Sequence, residues 1–401
     1  MSQIEVGYDG RRVGILAEAR GGIFFEYDPA FIASGEELSP LHLPLRPGLL
    51  SRDATPTMRL PGLFEDSLPD LWGRRLMAEW FRREGIREHA ITPLLMLAYV
   101  GCRAMGALTY QPPLKVSTGE SALQMGELYT AAARAEKAGP IDLDFLAQVG
   151  SSAGGAKAKA LIGLPKAGAE GPVLPGGEGL PPSHEAWLVK FDTSGEGTAG
   201  PMEEAFARLA RAAGIEMPET RLLSTRTAAG TRRHFAVKRF DRFGPKRIHY
   251  HSLAGLCQMG GGDLDYGTLL RVARRLTRSE AEVKKAFRRA VFNVLASNRD
   301  DHGKNHGFLY RDREWVLAPA FDLTFSSREQ LPERGMAVLG ERREIDLARL
   351  RALAESEDLD RAGADTIIDQ VRQAREQWPA FADEAGVPKR LAREIAGSLG
   401  R

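Results

Sequence analysis

The chain is poor in cysteine, in net charge and in long apolar runs. Only Cys102 and Cys257 occur in 401 residues, far apart and with no CxxC spacing. That excludes a disulfide framework and a cysteine-rich metal site, and it fits a reducing compartment. Lys and Arg number 55 against 53 Asp and Glu, so the whole chain carries no electrostatic footprint for nucleic acid or a membrane surface. The longest apolar run, LLMLAYV at 94–100, is far short of a bilayer span. The opening MSQIEVGYDG lacks the basic stretch and apolar run of a secretory leader. The expected location is cytoplasmic. A Walker A loop and internal repeats are also absent. What remains, 43% hydrophobic and 27% charged residues, is ordinary for a folded soluble protein and excludes disorder as the main state.

Three regions follow from the patterning. In residues 1–124, IEVGYDGRRVGILAEARGGIFFEYD alternates apolar and polar, with turn signals at Asp9-Gly10 and Gly21-Gly22, which predicts a small antiparallel sheet. LWGRRLMAEWFRREG then turns helical, with Leu71, Leu76, Trp80 and Phe81 at helical spacing, and Trp72 and Trp80 are expected to pack in a core or interface. Residues 125–250 mix strands (KAKALIGL, AWLVKFD, ETRLLSTR, HFAVKRFDR) with one helix, EEAFARLARAAG, stopped at Gly214. The Gly- and Pro-rich stretch 165–184 reads as a long loop between two strands. Residues 251–401 read as a helical lobe. A mixed sheet followed by a helical half leaves a cleft between lobes, a common place for a small ligand.

NRDDHGKN, residues 298–305, sets two carboxylates, an imidazole, an ammonium and two carboxamides directly after the amphipathic run AFRRAVFNVLAS. GFLY, the turn RDRE and WVLAPAFDLTF then predict a hairpin leading to a further carboxylate, Asp322. Asp300 and Asn305 stand at the D-x4-N spacing of protein-kinase catalytic loops. Phosphoryl transfer needs a carboxylate to orient and deprotonate an attacking hydroxyl, and hard oxygen ligands for magnesium on the phosphates. Asp300 suits the first task; Asn305 and Asp322 suit the second. Two other readings stay open for this stretch alone: a solvated loop, or a transition-metal site of Asp300, His302 and His306. Upstream, SSAGGAKAK (151–159) reads either as a flexible turn or as a small-residue loop whose N–H groups can approach phosphates. Lys190 lies in the apolar strand WLVKFD, either at an exposed edge or inward with an anionic partner such as Glu203 or Glu204. Residues 236–242 (AVKRFDR) would connect the lobes.

In this order, glycine-rich loop, strand lysine, helix glutamate, connector, D-x4-N and Asp, the chain resembles the HipA family of serine/threonine kinases, the toxins of bacterial type II toxin–antitoxin modules. SSAGGAKAKALIG, WLVKFD, MEEAFARLARAAGIEMPE, VKRFDR, DDHGKNHGFLY and LAPAFDLTFS carry the likeness, and FEDSLPDLWGRR resembles the extra N-terminal subdomain of full-length members. The resemblance implies an α+β, protein-kinase-like two-lobed fold with a β-rich N-terminal subdomain (1–124), an N-lobe (125–250) and an all-helical C-lobe (251–401). It implies ATP and magnesium as cofactors, Asp300 and Lys190 as catalytic residues, and Asn305 and Asp322 as metal ligands. Ser152, Ala153, Gly154, Gly155, Lys159, Lys190, Lys238, Arg239, Phe240, His302, Lys304 and Phe321 would meet the nucleotide, with Glu203 as helix partner of Lys190. Ser152, or its neighbour Ser151, would be autophosphorylated. The implied partners are a helix-turn-helix antitoxin of the HipB type, DNA only through that antitoxin, and a protein substrate such as an aminoacyl-tRNA synthetase, with no membrane. Two departures are Lys157, where many members carry glutamine, and the insertion after Gly163. A catalytically silent co-repressor and a small-molecule phosphotransferase are the alternatives. Segment 325–345 is charged and short of apolar residues, which favours a mobile surface loop.

Overall fold

A computed structural model describes residues 2–399 except 20, 53–57, 117–121, 138–140, 143–145, 147–148, 150–156, 177–178 and 229. The alternating N-terminal run forms β1 (Gln3–Tyr8), β2 (Arg11–Ala19) and β3 (Gly22–Tyr27), which with β4 (Leu49–Arg52) and β5 (Leu108–Gln111) make an antiparallel sheet in the order β4-β3-β2-β1-β5. Ile4, Val6, Val13, Leu16, Ile23 and Phe25 point from it into a core that continues into the C-terminal helices, as far as Ile395 and Leu399. The helix Leu71–Arg83 is capped by Asp70, whose side chain accepts from Gly73 N. Its buried face is Trp72, Leu76, Met77 and Phe81, whereas Leu71, expected on that face, is 67% exposed. Trp72 and Leu76 belong to the core under the second sheet and Phe81 to the first, so this helix wedges the two together.

The second sheet comprises β6 (Lys159–Pro165), β7 (Leu174–Pro175), β8 (His184–Lys190), β9 (Thr220–Thr227) and β10 (Gly230–Lys238), in the order β7-β6-β8-β10-β9. The Gly- and Pro-rich stretch does join two paired strands, and it contributes the short β7 on the way. The helix Ala199–Ala212 stops before Gly214, which sits at φ 76° as a C-terminal cap requires. It crosses β10 so closely that a Cβ on Gly200 would lie 2.0 Å from Arg233 O. A second helix in this region, Met125–Glu136, escaped the sequence reading. Its buried stripe is only Leu128, Ala132 and Ala135, and small alanines leave little periodic signal.

A two-stranded ribbon, β11 (Arg242–Phe243) and β12 (Lys246–Arg247), leads into the C-terminal region. That region is helical, with Tyr266–Thr277, Glu280–Leu295, Leu347–Ser356, Arg361–Glu376, Trp378–Ala385 and Lys389–Leu399. It is not all-helical: the hairpin of β14 (Gly307–Arg311) and β15 (Glu314–Leu317) pairs with β13 (His249–Ser252) in a three-stranded sheet. The reason is that β14 opens directly behind the D-x4-N loop, and its unpaired edge is covered by the strand that brings the chain into the lobe. Segment 325–345 is irregular, but it is packed and not a free surface loop: Met336 and Val338 are fully buried, and Arg334 donates to the carbonyls of Asn293, Val294 and Asn298.

Candidate active site

Alternation along the strands of the second sheet builds the cleft. In β8, Trp187 and Val189 point into the core, so Leu188 and Lys190 point the other way. β10 turns Phe235 and Val237 to that same face, and β6 adds Leu161. The opposite wall is Phe321, Asp322 and Leu323, with Phe240 from the connector and Met105 from the N-terminal region. These line a largely apolar cleft with a few polar groups at one end, the make-up common to small-molecule sites. Phe240 and Phe321 meet with ring centroids 5.8 Å apart.

Lys190 closes the polar end. Its ammonium donates to Glu203 Oε2 at 2.6 Å and to Asp322 Oδ1, so the inward-facing reading of this lysine is the one the structure holds. Burial alone would lower the ammonium, but Asp322 and Glu203 together hold it above its ordinary value. Burial likewise works against the Asp322 carboxylate, and Lys190 beside it keeps it ionised below the usual range. Asp322 also sits at φ 57°, a left-handed conformation costly for a residue with a Cβ and concentrated at functional sites. Glu204, the other candidate partner, turns to Arg208 at 2.8 Å instead.

The D-x4-N loop follows the helix Glu280–Leu295. Its two aspartates divide the work: Asp301 is buried, accepting from Tyr266 OH at 2.6 Å and Met336 N at 3.2 Å, while the Asp300 side chain is 57% exposed. Asn305 Nδ2 donates to Asp300 O at 2.8 Å, which ties the two ends of the loop together and orients the carboxamide. Arg299 donates to the carbonyls of Leu331 and Pro332, and a Cβ on Gly335 would lie 2.5 Å from His302 N, so segment 325–345 braces the loop from behind. His302 Nε2 lies 3.8 Å from Asp300 Oδ1. His306 is buried against the Tyr266 ring, and burial lowers it to about 3, a neutral imidazole. Among the described residues, no group of three or more His, Cys, Asp or Glu could hold a metal, so the Asp300–His302–His306 transition-metal reading has no support.

The other expected nucleotide residues divide. Lys238, Arg239, Phe240 and Phe321 line the cleft, although Lys238 N is engaged by Glu219 O and Arg239 N by Ala186 O, both at 2.9 Å. Lys304 is exposed and acts on Glu65, away from the lining residues. Lys159 is buried and paired with Asp70. Ser151, Ser152, Ala153, Gly154 and Gly155 lie outside the described residues. The sequence reading missed Met105, Asp70 and Asp241. Asp241 takes Gly106 N at 2.7 Å together with Arg239 and Arg242; burial opposes its charge, but the two guanidiniums hold it well below the usual carboxylate range. Only the clustering of charge in KRFDR hinted at it.

Comparison with known proteins places this geometry. The model of the HipA-like C-terminal domain matches residues 151–379, and that of the HipA N-terminal domain matches residues 4–111. The chain belongs to the HipA family. A relative from Sinorhizobium fredii named putative kinase Y4dM is 26% identical over 427 residues, covering 99% of this chain and 95% of its own. A second from that organism, putative kinase Y4mE, is 29% identical over 49% of this chain and 43% of its own length. Among solved structures, HipA of Shewanella oneidensis, determined as a toxin–antitoxin complex with HipB and operator DNA, superposes with a TM-score of 0.71. At 17% identity over 99% of this chain and 94% of that one, it establishes the shared fold. Among the described residues of this HipA-family chain, no helix is long and apolar enough to cross a membrane.

Proposed function

We propose that the chain is an ATP-dependent serine/threonine protein kinase of the HipA type. The observation that carries this reading is the Lys190 ammonium, held between Glu203 and Asp322 at the polar end of an apolar cleft. A buried cation fixed by two carboxylates is costly unless used, and here it faces the space where nucleotide phosphates would lie. The adenine would occupy the apolar part between Phe240, Phe321 and Met105. Ser152, Ala153, Gly154 and Gly155, which lie outside the described residues, are proposed as further contacts of the nucleotide. In chain order the proposed units are residues 1–124, 125–250 and 251–401.

The donor set suits magnesium. Asp322 is kept ionised, and Asn305 has its amide nitrogen tied to Asp300 O and its oxygen left to accept. Two oxygen ligands complemented by phosphates match this ion, which is seldom caged by protein alone. Bound there, it would neutralise charge on the transferred phosphoryl group. The chain's own residues do the rest. Asp300, exposed on its loop, orients the substrate serine hydroxyl and takes its proton as Oγ bonds to the γ-phosphorus, and the bond from that phosphorus to the bridging oxygen of ADP breaks. Lys190 holds the phosphates in line. The acceptors would be a serine on a translation component, such as an aminoacyl-tRNA synthetase, and Ser152 or Ser151 of the chain itself. A helix-turn-helix antitoxin of the HipB type would be the regulatory partner and the route to DNA, by analogy with the Shewanella complex, in which HipA is assembled with HipB and operator DNA.

Intact-mass measurement after incubation with ATP and magnesium, beside an Asp300→Asn variant, tests the reading. One added phosphate in the parent alone, mapped to Ser151 or Ser152, is the expected result. A parent that starts unphosphorylated, gains nothing and binds no ATP would replace the kinase with a silent scaffold.

A further inference from the structure

Asp70 stands outside the second sheet, yet it reaches the charged end of the cleft. Its Oδ1 caps the helix Leu71–Arg83 by accepting from Gly73 N at 2.7 Å, while its Oδ2 takes the Lys159 ammonium. The two side chains are 7% and 1% exposed. Two positions after this cap, Trp72 Nε1 donates to Lys159 O at 3.0 Å. A single residue of β6 is therefore gripped by the N-terminal region through both its side chain and its carbonyl.

Lys159 is no ordinary core residue. It stands directly opposite Lys190 in the β6–β8 register, and residues opposed across antiparallel strands share a face. The two lysines thus occupy neighbouring positions on the cleft face; burial works against the charge of Lys159, Asp70 and then Asp322 favour it, and Lys190 opposes it. Lys190 is matched by Glu203 and Asp322, and Lys159 by Asp70. Among the described residues, Asp322, the carboxylate assigned to the metal, also acts on Lys159.

We infer that Asp70 is a positioning residue of the phosphotransfer site: by holding and neutralising Lys159, it reserves Asp322 for Lys190 and the divalent cation. The inference rests on the kinase reading, and it makes the N-terminal region part of the catalytic unit. Asparagine still caps a helix, so Asp70→Asn removes the charge without removing the cap or the volume, at the stability cost of taking the carboxylate from a buried ammonium.

Calorimetric titration of the full chain with β,γ-imido-ATP, with and without magnesium, reads the effect without turnover. The quantity is the gain in affinity that magnesium confers. Asp70→Asn should lose roughly tenfold of that gain, the scale of one charge no longer neutralised by its carboxylate and acting through partly solvated protein. Asp70→Glu should keep it, and Asp70→Asn with Lys159→Met should regain it. A merely structural role would lower the melting temperature and leave the gain untouched. A gain in Asp70→Asn within twofold of the parent, or a double variant that fails to regain it, overturns the inference alone. A parent that binds no nucleotide overturns the kinase reading and this inference with it. Should Asp70→Asn not fold, Lys159→Met reads the coupling from the other side: its gain should equal or exceed the parent's, and a fall overturns the inference.

Discussion

Glu203 and Glu204 are neighbours on one helix, both buried, and replacing each by glutamine should have opposite consequences. Glu203 Oε2 accepts from Lys190 at 2.6 Å, so Glu203→Gln exchanges a charge-assisted hydrogen bond for a neutral one with no change of volume. Such a bond contributes roughly 1.5–3 kcal/mol, and Lys190 keeps Asp322, so the loss belongs at the lower end, about 2 kcal/mol. At about 1.4 kcal/mol per decade, that predicts a phosphotransfer rate about thirtyfold lower. The loss should fall on kcat/KM for ATP, because a lysine released from the helix shifts toward Asp322 and away from the phosphates. Glu204 pairs with Arg208, whose side chain is 37% exposed, and Glu204→Gln should leave kcat/KM within twofold. Initial rates at varied ATP, with urea unfolding of each variant, decide the matter. A Glu203→Gln enzyme as fast as the parent, or a Glu204→Gln enzyme equally slowed, would refute the claim that the Lys190–Glu203 contact sets the phosphate site.

The paired aspartates of the loop should separate chemistry from stability. Asp300→Asn should slow phosphoryl transfer by a hundredfold or more and barely change the melting temperature, whereas Asp301→Ala should cost about 3 kcal/mol of stability by orphaning Tyr266 OH and Met336 N, as denaturant titration would read. Buried neutral histidine gives the fold an acid limit. Burial lowers His249 to about 3 against an ordinary 6.5, so its stabilisation is whole above about pH 6.5 and is lost as pH falls from there toward 3. The slope is about 1.4 kcal/mol per pH unit, and His249→Gln should flatten it in melts between pH 7 and 4.5. Trp72→Ala should destabilise by about 3–5 kcal/mol through cavity formation, while Trp72→Phe, losing the bond to Lys159 O, should cost about 1 kcal/mol more than its lost area.

What was legible in the sequence follows from how local its cause is. Strand alternation placed β1–β3 but left Lys190 between an exposed edge and an inward position, which only its bonds to Glu203 and Asp322 decide, while the D-x4-N spacing with a following hairpin pointed to Asp300, Asn305 and Asp322 as one region. The helix Met125–Glu136 was lost because alanines supply its buried stripe, and a stripe of methyl groups barely differs from a polar surface helix. Lys159 was expected to meet ATP from its place behind the glycine-rich loop. Its pairing with Asp70 spans 89 positions, and no periodicity encodes such a contact. Segment 325–345 looked solvated because its arginines are counted as surface charge. Arg334 instead spends its guanidinium on three carbonyls of the loop and preceding helix.

The same limit hides how the N-terminal region reaches the cleft. At one end of the cleft it supplies Asp70 and Trp72 to the first strand of the second sheet; at the other it supplies Met105 to the apolar wall. Beside Met105, Gly106 N donates to Asp241, and the carbonyls of Ala104, Gly106 and Leu108 take up Arg242 and Arg247 from the ribbon after the connector. A buried carboxylate between two guanidiniums resists displacement, since freeing any member leaves an unpaired charge in the interior. The connector is therefore fixed to the N-terminal region more firmly than to either lobe's apolar face. Opening of the cleft would have to bend the chain between these two anchors or carry the N-terminal sheet along with the second sheet. The continuous core that joins the first sheet to the C-terminal helices opposes the latter, and the second sheet, with the helix Ala199–Ala212 across it, is itself tied to those helices, through Phe206 against Trp378 and through Arg233 on the carbonyls of Ala385 and Gly386, so the cleft is held from both sides.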